Sequence, residues 1–378
     1  MTRATCNNKA HAGFTLVELL VGVVIGLIGI MVIFQVFSVT ESTKRTTTGG
    51  GDAQQSGSLA LFTVERDVRM SGYGMNDIAN LGCTLRFYDE GTSPARTILD
   101  LRLVPIEIRQ PADQVPAGVA EGPDQVIVTY GSSDLLATPT KFEQPSTSSA
   151  TYHVENRFGF REGDFIIATE PGKPCTAAQV SNLPNNPGQK DNVIHASGTY
   201  TDPVTGNQVA ARYNKPGGIN PAVSYSRDAM LISLGSAPQR NIYSISNARL
   251  TMQNEFMDVV PAPMLDNIVQ LQAQYGKDMS GDGIVDLWDT VTPANGSPDW
   301  QRIIAVRIAI VARSSTPEKR DPATGLCSAT TAYPTWGGGD INLKVTVPTG
   351  APSDDWQCFR YRVFTTAVPL RNMIWRQE

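Results

Sequence analysis

Residues Gly13–Val39 read G-F-T-L-V-E-L-L-V-G-V-V-I-G-L-I-G-I-M-V-I-F-Q-V-F-S-V. From Leu16 onward the run is almost continuously apolar. A helix of about 24 residues is roughly 36 Å long, enough to cross a bilayer core of about 30 Å. Glu18 interrupts it. A carboxylate in a membrane helix is costly to desolvate and implies a partner. The order of parts also matters. A secretory signal places its small cleavage residue after the apolar core. Here Gly13 comes before it, behind a short polar leader with Arg3, Lys9 and His11. Cleavage after Gly13 would leave the apolar helix on the mature chain, starting at Phe14.

Working outward, Glu41–Thr48 is polar, and Gly49, Gly50 and Gly51 predict a break or kink. Helical spacing returns with Leu61, Val64 and Val68, flanked by Leu59 and Phe62. Glu65, Arg66, Asp67 and Arg69 are expected on the wetter side, and Gly72 and Gly74 to stop the helix. Beyond Cys83 the pattern turns to short strands: Leu101–Arg109, Gln125–Tyr130, Asp164–Thr169, Met230–Leu234 and Ile242–Thr251. Pro171–Pro221 reads as loop. In the last third, Val269, Leu271, Ala273 and Tyr275 alternate with glutamines. Ile304, Val306, Ile308 and Ile310 share a face, as do Ile341, Leu343, Val345 and Val347, and Phe359–Val368 is a final strand. The expected fold class is α+β: a long N-terminal helix packed on a C-terminal, β-rich antiparallel globular domain. The parts are 1–13 leader, 14–40 membrane or filament-core helix, 41–75 amphipathic continuation and 76–378 globular domain.

Charged residues are only 18% and the net charge is −5, more negative still once Arg3 and Lys9 leave with the leader. No basic stripe is present, which argues against nucleic-acid binding. Of five cysteines, Cys6 lies in the leader. Cys83, Cys175, Cys327 and Cys358 remain, with three possible pairings. Export favours disulfides, and no C-x-x-C spacing suggests zinc or redox work. We expect sequence neighbours to pair, Cys83–Cys175 and Cys327–Cys358.

One motif in the body carries chemistry. D-M-S-G-D-G-I-V-D-L-W-D, Asp278–Asp289, sets oxygens at Asp278, Ser280, Asp282, Asp286 and Asp289, with the Ile284 carbonyl and a turn at Gly283. This spacing suits a structural Ca2+ loop, although Ser280 and Asp289 depart from the EF-hand pattern and the flanks read as β. A solvated Asp/Gly turn is the plainer alternative. His153 and His195 sit in loop-like sequence, and no nucleophile elbow, zinc-protease helix or phosphate loop occurs. No enzyme activity is expected.

The N-terminal block Gly13-Phe14-Thr15-Leu16-Val17-Glu18 resembles the prepilin leader of type IV pilins and type II secretion pseudopilins. That resemblance implies cleavage after Gly13 by a prepilin peptidase, methylation of Phe14, and a role for Glu18 in filament assembly. The end of the chain resembles the PilW kind of minor pilin, on Leu271–Tyr275, Ile304–Ser314 and V-P-L-R-N-M-I-W, Val368–Trp375. It implies a subunit that helps prime type IV pili with other minor and major pilins and the inner-membrane assembly machinery. A position near the pilus tip, beside a large adhesin, goes with it. The single-pass chain would start in the inner membrane, its globular domain periplasmic, and finish on the cell-surface pilus. The competing readings are a secretion pseudopilin and, in another class, a membrane-anchored surface enzyme or calcium-dependent adhesin.

Overall fold

The computed structural model describes residues 15–75, 80–92, 94–111, 122–135, 138–146, 150–257, 260–344, 352 and 354–374. The leader with Cys6, Gly13 and Phe14, the stretch Val345–Val347 and Trp375 lie outside the described residues.

One helix, Leu16–Met70, runs unbroken for 55 residues. The expected break at Gly49–Gly51 does not occur. Gly49, and Gly57 farther along, lie close against a sheet, whereas Gly50 and Gly51 have open space where a Cβ would stand. A Cβ on Gly49 would stand 3.1 Å from Ser314 Cβ, and one on Gly57 would stand 2.0 Å from the Phe364 ring. Gly49, Ala53, Gly57, Ala60, Val64 and Val68 form the buried stripe, at spacings of three and four. Leu59 and Phe62 face outward instead, and Leu61 is half-buried. Asp67 is buried too, not on the wetter side. The helix ends where Ser71 N–H donates to Val68 O and Gly72 takes φ +76°, a conformation that glycine adopts without Cβ strain.

Three large sheets carry most of the rest, beside three two-stranded ones among the described residues. The four-stranded antiparallel sheet runs Leu287–Asp289, Ile268–Lys277, Ile303–Arg313, Tyr361–Pro369. Its inner face puts Leu271, Tyr275, Val306, Ile308, Ile310 and Val368 into the core that also holds Ala53, Ala60, Val64 and Val68 of the helix. A five-stranded antiparallel sheet runs Ala262–Asp266, Arg249–Asn254, Gln239–Ser246, Gln125–Tyr130, Ile106–Arg109. The six-stranded sheet runs Arg96–Arg102, Thr84–Asp89, Cys175–Gln179, Phe165–Thr169, Met230–Ser233, Thr140–Lys141, with one parallel pair, Leu85 opposite Cys175. Its far face packs a second core around Phe142, Tyr152, Val154, Ile166 and Leu231.

Several strand expectations change. Leu101–Arg109 is two strands, Arg96–Arg102 and Ile106–Arg109, because the chain leaves the six-stranded sheet for the five-stranded one at Pro105, which has no N–H to donate. Ile242–Thr251 is a hairpin turning at Asn247 and Ala248, φ 50° and 56°. Such turns usually announce themselves with glycine, and this one does not. Ile341 and Leu343 are not in a strand. They are buried against Val269, Val311 and Trp356, on the outer face of the four-stranded sheet. Pro171–Pro221 is not all loop. It holds Cys175–Gln179, inside the six-stranded sheet, and the short strands Asn192–Ile194, Thr199–Thr201 and Gln208–Ala210.

Candidate functional site

The helix opens on a capping box. Thr15 has extended backbone dihedrals, φ −78° and ψ 148°, and stands at the N-cap. Its Oγ1 accepts from Glu18 N–H at 3.3 Å, while Thr15 N–H and Oγ1–H donate to Glu18 Oε2, each at 3.1 Å. Two backbone donors that a helix start leaves unmet are thereby satisfied. Glu18 also places negative charge at the positive end of the helix dipole. The sequence reading singled out Glu18 but missed its partner, although T-x-x-E is the signal for this box.

Beyond the box the first half of the helix packs on nothing among the described residues. Its apolar side chains from Leu16 to Val39 point outward, with Leu16 76% and Phe34 71% exposed. Among the described residues it is the one helix long and apolar enough to cross a membrane. Its second half is fixed to the globular domain by polar groups as well as by the apolar stripe. Asp67 Oδ2 accepts from Tyr243 Oη–H at 2.6 Å and Asn241 Nδ2–H at 2.7 Å. Burial, reinforced by the Asp67 charge, pushes the Tyr243 hydroxyl pKa up. Arg240 is buried completely and bridges Glu107 and Glu255 at 2.9 and 2.8 Å. Burial raises the Glu107 pKa, but Arg240, Arg109 and Arg102 outweigh it and hold the carboxyl below its usual range.

The expected disulfides are the ones formed. Cys83 and Cys175 join neighbouring parallel strands with Cα atoms 5.9 Å apart. Cys327 and Cys358 are bonded with Cα atoms 4.8 Å apart. His195 therefore has no free Cys175 thiol to pair with; its ring stacks on Tyr152 at 4.1 Å. His153 lies in the short strand Thr151–His153.

The Asp278–Asp289 loop joins the strands Ile268–Lys277 and Leu287–Asp289. Gly281 and Gly283 both have φ near +80°. Asp278 accepts from Gly281 N–H at 2.6 Å, from Gly283 N–H at 2.7 Å and from Ser280 Oγ–H at 3.4 Å. Asp286 Oδ2 accepts from Met279 N–H, Ser280 N–H and Ser280 Oγ–H at 2.8–3.0 Å. Desolvation raises the Asp278 pKa, but its backbone donors win and lower it; the Asp286 pKa is lowered by the N–H groups of Met279 and Ser280. Asp282 accepts from Ile284 N–H. Asp289 lies apart, in an ion pair with Lys277 Nζ at 2.8 Å. Among the described residues, no three His, Cys, Asp or Glu side chains gather closely enough to hold a metal ion.

Two family models match the sequence, one at each end of the chain. The model for type IV pilus-assembly protein W, PilW, matches residues 237–372. Over those residues the chain is similar to PilW. The prokaryotic N-terminal methylation motif matches residues 8–34. Together they support a PilW-family type IV pilin, and imply contact with other pilins and with a prepilin peptidase. The PilW match takes in the whole four-stranded sheet, the acidic loop, the second disulfide and Tyr243, the partner of helix residue Asp67. The methylation motif with the apolar helix behind it is consistent with a pilin anchored in the inner membrane. No curated protein and no solved structure matches significantly.

Proposed function

We propose that this chain is a minor pilin that helps prime type IV pilus assembly in the inner membrane and then enters the filament near its tip. The observation that carries this is the unbroken helix Leu16–Met70. Its first half is bare and apolar, and its second half is welded to the PilW-like domain. A helix so divided can leave a bilayer and bury its apolar half among like helices without disturbing the domain it carries. Prepilin peptidase would cut after Gly13, and Phe14 would be methylated. Glu18 would then meet a neighbouring subunit's terminal amine, each charge lowering the other's burial cost. The domain would be periplasmic before assembly and on the cell surface afterwards. Other minor and major pilins and the inner-membrane machinery are its partners, with a large adhesin at the tip. The role is structural, not enzymatic.

Mass spectrometry of the mature N-terminus tests the processing. N-methyl-Phe14 is expected; a mature chain that keeps Met1, or begins beyond Val39, overturns the reading. Loss of surface pili on deletion, restored by the native gene, is the expected cellular result. Loss of protein secretion with normal pili would point to a secretion pseudopilin instead.

A structural Ca2+ in the Asp278–Asp289 loop is the second part of the proposal. The donor chemistry fits a hard cation: carboxylates, a serine hydroxyl and the Ile284 carbonyl on one tight turn. A carboxylate has about four lone-pair sites, so Asp278 and Asp286 keep acceptor capacity beyond their N–H bonds. Asp289 could join only by giving up Lys277.

A further inference from the structure

A cavity of about 350 Å3 lies in the stretch that neither family model matches, beside the interior strand Cys175–Gln179 of the six-stranded sheet. That is the small end of the roughly 300–1,000 Å3 of small-molecule sites, room for one ring and its substituents. Tyr152, Ala177 and Tyr225 supply an apolar wall, and His195 lies stacked on Tyr152. The imidazole is neutral at physiological pH, since burial pulls its pKa down to about 4. Its Nε2 is shut away from solvent without a hydrogen-bond partner among the described residues.

The charge of the lining is one-sided. Among the described residues Lys215 is its only ionised side chain, and no Asp or Glu lines the space. Lys215 makes no ion pair among the described residues; its nearest polar partner is Thr97 Oγ1 at 3.5 Å. A second cation stands behind the wall. Arg86 donates from Nη1 to the carbonyl of Pro221, a lining residue, at 3.4 Å. Its buried Nε has no partner, and among the described residues it too makes no ion pair. The nearby carboxylate of Glu170 is already engaged, by Lys173 Nζ at 2.9 Å and by Ser226. Two half-buried cations with no counter-ion beside an aromatic cavity favour an anion with an apolar body.

We propose that this cavity binds a small organic acid bearing a carboxylate on a six-membered ring, the ring against Tyr152 and Tyr225 and the carboxylate at Lys215. A uronic acid at the end of a glycan and a free aromatic acid share this chemistry. The test is calorimetry on the full-length chain in detergent with glucuronate, benzoate and glucose. At least one acid should bind saturably, about tenfold or more tighter than glucose, and more weakly at high salt. Lys215→Met should weaken that acid about tenfold without moving the melting temperature. Ala222→Trp, at the exposed rim, should abolish binding. Uptake of glucuronate alone assigns a glycan, and of benzoate alone an aromatic acid. Three results overturn the site: glucose binding as tightly as both acids, no saturable binding of either acid up to about 10 mM, or undiminished binding by Lys215→Met.

Discussion

The Tyr243 hydroxyl donates to Asp67 Oδ2 at 2.6 Å, tying the long helix to the five-stranded sheet through a buried carboxylate. Asn241 supplies a second donor, and Arg66, on the exposed side, the nearest cation at 3.3 Å. Hydrogen bonds to a charged group are worth about 1.5–3 kcal/mol each. Tyr243→Phe should therefore cost about 1.5–3 kcal/mol in denaturant unfolding of the full chain. Asp67→Ala should cost more, because it strands two buried donors at once. A Tyr243→Phe variant as stable as the native chain would show that Asn241 alone satisfies the carboxylate.

The helix glycines divide into two kinds. Gly50 has open space around its Cβ direction, whereas Gly57 meets Phe364 at 2.0 Å. Gly50→Ala should stabilise by up to about 1 kcal/mol through helix propensity. Gly57→Ala gains the same propensity but must displace a ring, and overpacking costs about 1–3 kcal/mol. Its net effect should be destabilising. Opposite signs for the two substitutions in thermal melts are the expected result; a gain in both would mean that Phe364 swings aside freely.

The long helix and the strands of the last third were legible because their signals are local. Twenty-odd apolar residues and the alternation Val269–Tyr275 need no knowledge of what they pack on. The Gly49–Gly51 segment misled for the opposite reason: Gly49 packs on Ser314, a distant residue that no local pattern announces. Asp67 was hidden likewise, since its partners lie 174 and 176 residues away. Cys175–Gln179 lacks any apolar run, and what makes it a strand is pairing on both sides. The acidic loop was found by spacing, but spacing says nothing of Lys277, which claims Asp289 from the strand before.

His195 supplies a pH dependence. Its folded pKa of about 4 lies below the usual 6.5, so between those values the unfolded chain binds the extra proton. Stability from this group is therefore full above about pH 6.5 and falls as pH drops toward 4, by up to about 3 kcal/mol. His195→Phe keeps a ring stacked on Tyr152 but has no proton to take up. The stability difference between native and variant should change across this window and be flat above it. Parallel curves would show that the imidazole keeps its ordinary pKa when folded.

Glu18 has two roles that one substitution separates. Glu18→Gln retains the capping box, since Gln serves at that position, but removes the charge. It should insert and fold normally, having shed a membrane cost of roughly 2.5–3.5 kcal/mol at most. Incorporation into pili should nevertheless fall sharply, as read by immunoblot of sheared filaments. Thr15→Val, which keeps the charge and breaks the cap, should incorporate better than Glu18→Gln. The reverse order would assign Glu18 to helix capping alone.

The acidic loop gives the last prediction. Its oxygens already turn inward, but onto backbone N–H groups, and Asp289 is held by Lys277. A cation must therefore compete with bonds that exist. With Asp in place of Glu at the twelfth position, affinity should fall in the weak range of extracellular modules, about 10⁻⁴–10⁻³ M. Binding to the folded state alone adds about 0.4–1.4 kcal/mol when millimolar Ca2+ stands at one to ten times Kd, so millimolar Ca2+ should raise the melting temperature by only a few degrees. Asp282 accepts one bond, from Ile284 N–H, and is exposed. Asp282→Ala should thus leave the metal-free chain folded and abolish the rise. Lys277→Met should free Asp289 and strengthen binding, which a passive polar turn would not do. Identical melts in Ca2+ and chelator for the native chain and for Lys277→Met would leave Asp278–Asp289 a self-satisfied turn that positions the edge strand Leu287–Asp289.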